Sequence, residues 1–298
     1  MPSRVTDPRI TEHRNPRTQQ IDLADPLGIV DLMNAEDRDV PLAVATQREQ
    51  IAQAIATAET AFRAGGRLYY VGAGTSGRLG VLDASECPPT FRTDPERIQG
   101  IIAGGEQAMF RTQEGAEDRP DDGSAAVDAK SVGRDDVVIG IAAGGTTPFV
   151  HGALRRARER RAKTVFLSCV QPVPSEPVVD VVIRPLTGPE VVTGSTRLKA
   201  GTATKLVLNT ISTVAMVRLG KVYENLMVDL RATNAKLWDR GARIVATLTG
   251  LGRDDATDLL RRAEGHVKLA VVMHSAGVGA DEAKRRLERA GGRLRDAI

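Results

Sequence analysis

The sequence is poor in the residues that build disulfide frameworks, metal sites and base-stacking surfaces. Its 298 residues include two cysteines and four histidines, and aromatic residues make up 3%. Two cysteines, Cys87 and Cys169, cannot form a disulfide framework, and the scattered histidines lack metal-ligand spacing. So few aromatic side chains offer little surface on which bases could stack. We therefore expect no metal or other cofactor and no nucleic-acid partner.

The chain also lacks a strong charge bias and a long apolar run. It has 41 basic and 38 acidic side chains, a formal net charge of +3, which gives no general electrostatic reason to bind nucleic acid. The longest charge-free apolar stretch of the second half, residues 206–217, is shorter than the roughly 20 residues of a membrane span. The polar amino terminus has no apolar secretory core. We expect a cytoplasmic protein with no membrane partner.

What the sequence has instead is a series of short apolar runs separated by glycine-rich loops. Five runs have strand length and are rich in β-branched or apolar residues. They are residues 68–71, 98–103, 137–143, 164–169 and 178–183. Near-continuous apolar runs indicate strands covered on both faces, and helical segments between several of them complete a βαβ pattern. The sequence therefore predicts an α/β fold with a doubly wound parallel sheet.

Helices are predicted on either side of this sheet in the chain. Asp25 followed by proline is typical of a helix start, and a second helix is predicted from about Pro41. After residue 194 the pattern is helical only. We expect an amino-terminal arm with helices over residues 1–57, the sheet domain over 58–221 and a carboxyl-terminal helical appendage over 222–298.

Two loops rich in glycine and threonine follow predicted strands. Residues 72–80 satisfy the G-x-G-x-x-G spacing but lack the acid that ends the second strand of a dinucleotide site. Backbone N–H groups, a helix dipole and short hydroxyls suit a sugar monophosphate, although a tight turn capped by Ser76 explains the first loop equally well. Both loops should face one crevice. The predicted ligand-binding residues are Gly74, Thr75, Ser76, Gly77, Gly144, Gly145, Thr146 and Thr147.

A third polar cluster, residues 193–202, precedes a long apolar helix. Ser195, Thr196 and Lys199 are candidates there for binding an anion, with helix capping and solvated charge as the slightly favoured alternative.

Several acidic residues are candidates for acid–base chemistry. Glu86 precedes Pro88 and Pro89, which are predicted to end its helix. Burial at that place would raise the pKa of the Glu86 carboxyl toward the range of a general acid. The spacing does not decide which second carboxylate would act with Glu86. The candidates are Glu106, placed by topology at the active edge of the sheet, Glu114 and Glu117.

Long strings of this sequence resemble bacterial N-acetylmuramic acid 6-phosphate etherases. They are residues 72–90, 102–106, 114–118, 194–205 and 223–229. The resemblance implies a sugar isomerase (SIS) sandwich, a homodimer with sites near the subunit interface, and a sugar-phosphate substrate. It implies cleavage of the D-lactyl ether of N-acetylmuramate 6-phosphate without a metal, in amino-sugar recycling. It also assigns the two essential carboxylates to Glu86 and Glu117.

One loop departs from the pattern expected for that family. Gly144 stands where serine is expected and Thr146 where arginine is expected, so a hydroxyl and a guanidinium are missing.

Retention of Glu86 and Glu117 disfavours the main alternative, a non-catalytic sugar-phosphate regulator with the same domain. A transcription regulator would need a helix-turn-helix that residues 1–60 lack. An aldose–ketose isomerase would share the fold and the removal of a proton beside a carbonyl.

Overall fold

A five-stranded parallel sheet forms the centre of the computed structural model, which describes residues 7–298. The strands are β1 (Leu68–Gly72), β2 (Ile98–Ile102), β3 (Val137–Ile141), β4 (Lys163–Leu167) and β5 (Val181–Ile183). They pair in the order β2-β1-β3-β4-β5, and every neighbouring pair is parallel. Each strand falls at one of the five predicted runs. The predicted doubly wound parallel sheet is confirmed.

Helices cover both faces of the sheet, which is why its strands are so apolar. Helices α5 (Pro120–Ala129) and α6 (Pro148–Glu159) pack on the face that carries Tyr69 and Val138. Helix α4 (Gly74–Phe91) packs on the opposite face, where Gly80 approaches Tyr70 so closely that an added Cβ would lie 2.7 Å from the tyrosine Cβ. Alternate strand residues therefore serve opposite layers.

The first amino-terminal helix begins where it is predicted, but the second predicted helix is divided into two. Helix α1 (Pro26–Asp37) is capped by the Asp25 carboxylate, which accepts the Gly28 N–H at 2.8 Å. The predicted helix from about Pro41 is two helices, α2 (Val40–Ala45) and α3 (Arg48–Arg63). At the break, the Gln47 side chain accepts the Arg184 N–H at 2.8 Å. This tertiary hydrogen bond has no signal in local spacing.

Helix α4 contradicts the prediction that two prolines end it. The helix continues through Pro88 and Pro89 to Phe91. Proline removes a helical donor and disfavours helical backbone before it, yet Cys87 and Phe91 on this turn are both buried. Burial of apolar side chains offsets the local cost. Glu86 therefore lies inside a helix and not at its end, and its side chain is exposed, contrary to the expected burial.

The chain forms two compact units. The first comprises the residues up to Ser85 together with Pro95–Ser212, and the second comprises Glu86–Asp94 with Thr213–Ile298. The remaining helices are α7 (Lys199–Arg218), α8 (Ala235–Thr249), α9 (Arg253–Arg262), α10 (Val267–Ser275) and α11 (Ala280–Arg289). Apolar side chains of α8 to α10 form most of the core of the second unit. Within residues 7–298, no helix has the length and apolarity to cross a bilayer.

Candidate active site

A cavity of about 450 Å³ lies at the carboxyl ends of β1 and β3, within the first unit. From β1 the chain moves outward to β2, and it then returns to β3 on the other side of β1. Doubly wound sheets bind ligands at such a reversal of strand order, because the loops on either side diverge and leave a crevice. Both predicted glycine-threonine loops line this cavity.

The loop after β1 presents backbone and hydroxyl groups. Gly74, Thr75 and Ser76 line the cavity, and Gly74 has a positive φ of 50°, which favours glycine. Gly77 is not among the lining residues. A Cβ on Gly77 would lie 2.6 Å from Ile102 Cγ1 and 2.7 Å from the Gly72 oxygen, so this glycine allows α4 to approach the sheet.

The loop after β3 forms the facing part of the cavity wall. Gly144, Thr146 and Thr147 line the cavity, and the Thr147 side chain makes no capping hydrogen bond to α6. Gly145 does not line it. Gly145 has a φ of 79°, and its carbonyl accepts a hydrogen bond from His151 Nε2 at 2.9 Å. Gly145 therefore shapes the loop, while its neighbours face the ligand space.

A guanidinium from the amino-terminal arm reaches the second loop. Arg9 Nη1 lies 3.4 Å from Thr146 Oγ1, and two other nitrogens of Arg9 donate to the Asp7 carboxylate at 2.9 and 2.6 Å. Hydrogen bonds from Arg9 lower the pKa of Asp7 to about 2. Arg9 is the one basic side chain among the described residues that line the cavity.

Carboxylates line the same cavity. Glu117 and Asp118 belong to a short 3₁₀ turn, residues 116–118, before α5, and Glu12 comes from the amino-terminal arm. The predicted acid Glu117 is thus placed beside both loops, with its side chain exposed to solvent. Among residues 7–298, no group of three or more His, Cys, Asp or Glu side chains is arranged to hold a metal ion.

The segment that enters α7 contributes hydroxyls but not its lysine. Thr196 and Thr204 line the cavity, whereas Ser195 and Lys199 do not. The Lys199 side chain is buried, and its ammonium group donates to Glu36 at 2.5 Å. Its backbone N–H donates to the buried Glu190 carboxylate at 2.9 Å. Lys199 therefore holds α1 and α7 together within the first unit, which differs from its predicted contact with substrate.

Two further predicted acids lie away from these lining residues. Glu106 is exposed on a 3₁₀ turn after β2 and lines a different cavity, one formed beside β2 and α5. Glu86 belongs to the part of α4 that is grouped with the second unit. The pairing of Glu86 with Glu117 therefore stays a prediction.

Comparison with known proteins identifies the family. Residues 50–158 match the family described as the glucokinase regulatory protein N-terminal SIS domain. N-acetylmuramic acid 6-phosphate etherases match nearly the whole chain. That of Rippkaea orientalis is 53% identical, covering 97% of this chain and 94% of its own. That of Synechocystis sp. is 52% identical over 100% of this chain and 99% of its own. That of Salinibacter ruber is 55% identical over 97% of this chain and 93% of its own. The chain belongs to the N-acetylmuramic acid 6-phosphate etherase family.

Membership of this etherase family confirms the resemblance seen in the sequence. The family is one of enzymes by name, and the full-length relatives do not favour the alternative of a non-catalytic regulator. Sequence reasoning missed Arg9, Glu12 and Thr204 as residues of the etherase cavity. The first two lie in an arm without periodicity, and only the fold brings this arm to the cavity.

Proposed function

We propose that this etherase uses water to cleave the D-lactyl ether of N-acetylmuramic acid 6-phosphate, giving N-acetylglucosamine 6-phosphate and D-lactate. The observation that carries the proposal is the 53% identity to a named etherase along 97% of the chain. The cavity adds independent support, since it combines donors suited to a phosphate with a carboxylate suited to proton transfer.

The phosphate would lie between the two loops. Thr75, Ser76, Thr146 and Thr147 bring four hydroxyls to one cavity, and the start of α4 adds free backbone N–H groups and the positive end of a helix dipole. Arg9 adds a guanidinium whose Nη1 lies beside Thr146 while its other nitrogens pair with Asp7. Arg9 thereby replaces the arginine that the family pattern has in the second loop, because its guanidinium reaches the same loop from the arm.

The reaction then needs an acid and a base on either side of the C2–C3 bond. With the sugar in its open aldehyde form, Glu117 takes the C2 proton while protonated Glu86 gives a proton to the lactyl oxygen as the C3–O bond breaks. D-lactate leaves, and an unsaturated aldehyde remains. Water adds at C3 with the proton transfers reversed, and the ring closes. Positioned acids and bases each typically contribute about 10²–10⁴ in rate.

The proposal extends to assembly and location. A homodimer with sites near its interface follows from the family resemblance. A phosphorylated sugar is charged and is not expected to cross a bilayer unaided, so the enzyme must share a compartment with its substrate, which we propose to be the cytoplasm.

The direct test is to incubate the protein with N-acetylmuramic acid 6-phosphate and to identify both products by NMR. We expect equal amounts of D-lactate and N-acetylglucosamine 6-phosphate. A ketose phosphate that retains the lactyl ether would instead reveal an isomerase, and tight binding without turnover would reveal a regulator.

A further inference from the structure

A second cavity, of about 260 Å³, adjoins the first one in the same unit. The two share Ala73, Gly74 and Glu117 among their lining residues. The rest of the second wall comes mostly from the segment between β2 and α5, with small side chains such as Ala108 and Ala116. A ligand centred at Gly74 and Glu117 can therefore extend one substituent into each cavity.

Arg78 is the one basic side chain among the described residues that line the second cavity. Its Nε–H donates to the Met109 carbonyl at 3.0 Å, which orients the guanidinium. Within residues 7–298, the two terminal nitrogens of Arg78 form no hydrogen bond or ion pair. The planar end of an arginine fits a carboxylate with two parallel hydrogen bonds. A half-buried arginine with free terminal donors therefore lines the same small cavity as Glu117.

The proposed substrate carries a group that matches this arrangement. Its lactyl ether ends in a carboxylate, whereas the sugar product has only a hydroxyl at C3. Glu114 and Glu117 also line the second cavity, so a bound carboxylate needs a cation beside it to offset their repulsion. We propose that Arg78 binds the lactyl carboxylate and that the second cavity thereby selects the ether over the product. This assignment rests on the proposed function.

The placement is consistent with the proposed chemistry. When the C6 phosphate lies against the two loops and the lactyl group on C3 lies beside Arg78, carbons C3 to C6 bridge the two cavities, and C2 adjoins C3 at their boundary. Glu117 borders both cavities, which is where a base for the C2 proton is needed. Arg78 acts here by binding the leaving group, and it takes no part in proton transfer.

The test is a two-by-two comparison of enzyme and substrate. Wild type and Arg78→Gln are each assayed with N-acetylmuramic acid 6-phosphate and with its lactyl carboxamide, which lacks the negative charge. We expect wild type to prefer the carboxylate by at least about tenfold in kcat/KM, as a charged hydrogen bond commonly gives. Arg78→Gln should treat the two compounds alike. An undiminished preference for the carboxylate in Arg78→Gln would overturn the proposal.

Binding measurements separate this proposal from a folding defect and from the proposed function. In the Glu117→Gln background, which slows turnover during the titration, Arg78→Gln should show weaker calorimetric binding of N-acetylmuramic acid 6-phosphate and unchanged binding of N-acetylglucosamine 6-phosphate. Equal loss for both ligands would contradict the assignment. Arg111→Gln is the matched control, since Arg111 is an exposed arginine of the segment between β2 and α5 and does not line the cavity. If wild type releases no lactate, the proposed function fails, yet selective loss of binding still supports the carboxylate site.

Discussion

At the scale of single residues, the proposed chemistry depends on two carboxyl groups in different surroundings. Glu117 lies on the cavity wall beside the hydroxyls of both loops, and Glu86 has an exposed side chain on α4. Neither is paired with a cation in the part of the chain that the structure describes. Two carboxyl groups that approach one substrate would titrate as a pair, so a pH profile would report the pair and not either member.

Replacing either acid by its amide should stop turnover and leave phosphate binding intact. For Glu117→Gln and Glu86→Gln we expect kcat to fall by about 10²–10⁴, the usual value of a positioned acid or base. The affinity for N-acetylglucosamine 6-phosphate should change little. Asp121→Asn, an exposed acid on the first turn of α5, serves as the control. Near-normal lactate release by Glu86→Gln would remove it from the mechanism.

The buried pair of Lys199 and Glu36 should matter for stability. Removing one partner leaves a buried charge, which typically costs about 3–5 kcal/mol, so Lys199→Met should lower the free energy of unfolding by about that amount in urea. Glu36→Gln combined with Lys199→Met should cost less than the two single changes summed. Exposed Arg197→Met, two residues earlier, is the control. A loss as small as that of the control would contradict this role of Lys199.

The same pair predicts a pH dependence of stability. Burial opposes ionisation of Glu36, but the hydrogen bonds from Lys199 and Asn15 and the charges of Lys199 and Arg17 outweigh it, so its pKa lies below its ordinary value of 4.5. A carboxyl with a lowered pKa stabilises the fold above its unfolded pKa, and this is lost as pH falls through the folded pKa. The stability difference between wild type and Glu36→Gln should therefore shrink below pH 4.5.

At the scale of elements, glycines of the two loops have separable tasks. Gly77 lets α4 approach β1 and β2, and an added Cβ would meet the Gly72 backbone oxygen at 2.7 Å. A Cβ on Gly144 meets nothing within 4 Å. One glycine is therefore required by packing, whereas the other leaves room in the ligand space.

Alanine should lower the stability of the fold at Gly77 but not at Gly144. Gly77→Ala should lower the free energy of unfolding by about 1–3 kcal/mol, the usual cost of overpacking, as measured by thermal or urea denaturation. Gly144→Ala should leave stability unchanged. Gly144→Ser, which restores the expected hydroxyl, should bind N-acetylglucosamine 6-phosphate at least as tightly as wild type. Equal destabilisation by both alanine variants would contradict the assignment of tasks.

Elements with local signals could be predicted from the sequence, and elements set by tertiary contacts could not. The sheet could be predicted from five apolar runs and two walls of the cavity from two glycine-threonine loops, because strand burial and turn chemistry are visible in local spacing. The passage of α4 through Pro88 and Pro89 could not be predicted, since burial of Cys87 and Phe91 overrides local preference. Arg9 reaches Thr146 across 137 positions of the sequence, which no local pattern records.

At the scale of the whole molecule, we expect a dimer. Size-exclusion chromatography with light scattering should give twice the chain mass of 31.9 kDa at the concentrations used for activity. A fully active species of single-chain mass would contradict the proposed assembly, while leaving the assignment of the cavity in place.

Isotope labelling distinguishes cleavage of the ether by elimination and hydration from direct displacement at the lactyl carbon. The enzyme is incubated with N-acetylmuramic acid 6-phosphate in H₂¹⁸O, and both products are analysed by mass spectrometry and ¹³C NMR. Elimination and hydration should place ¹⁸O at C3 of N-acetylglucosamine 6-phosphate and leave the hydroxyl oxygen of D-lactate unlabelled. Label in the lactate hydroxyl, with none at C3 of the sugar, would contradict it.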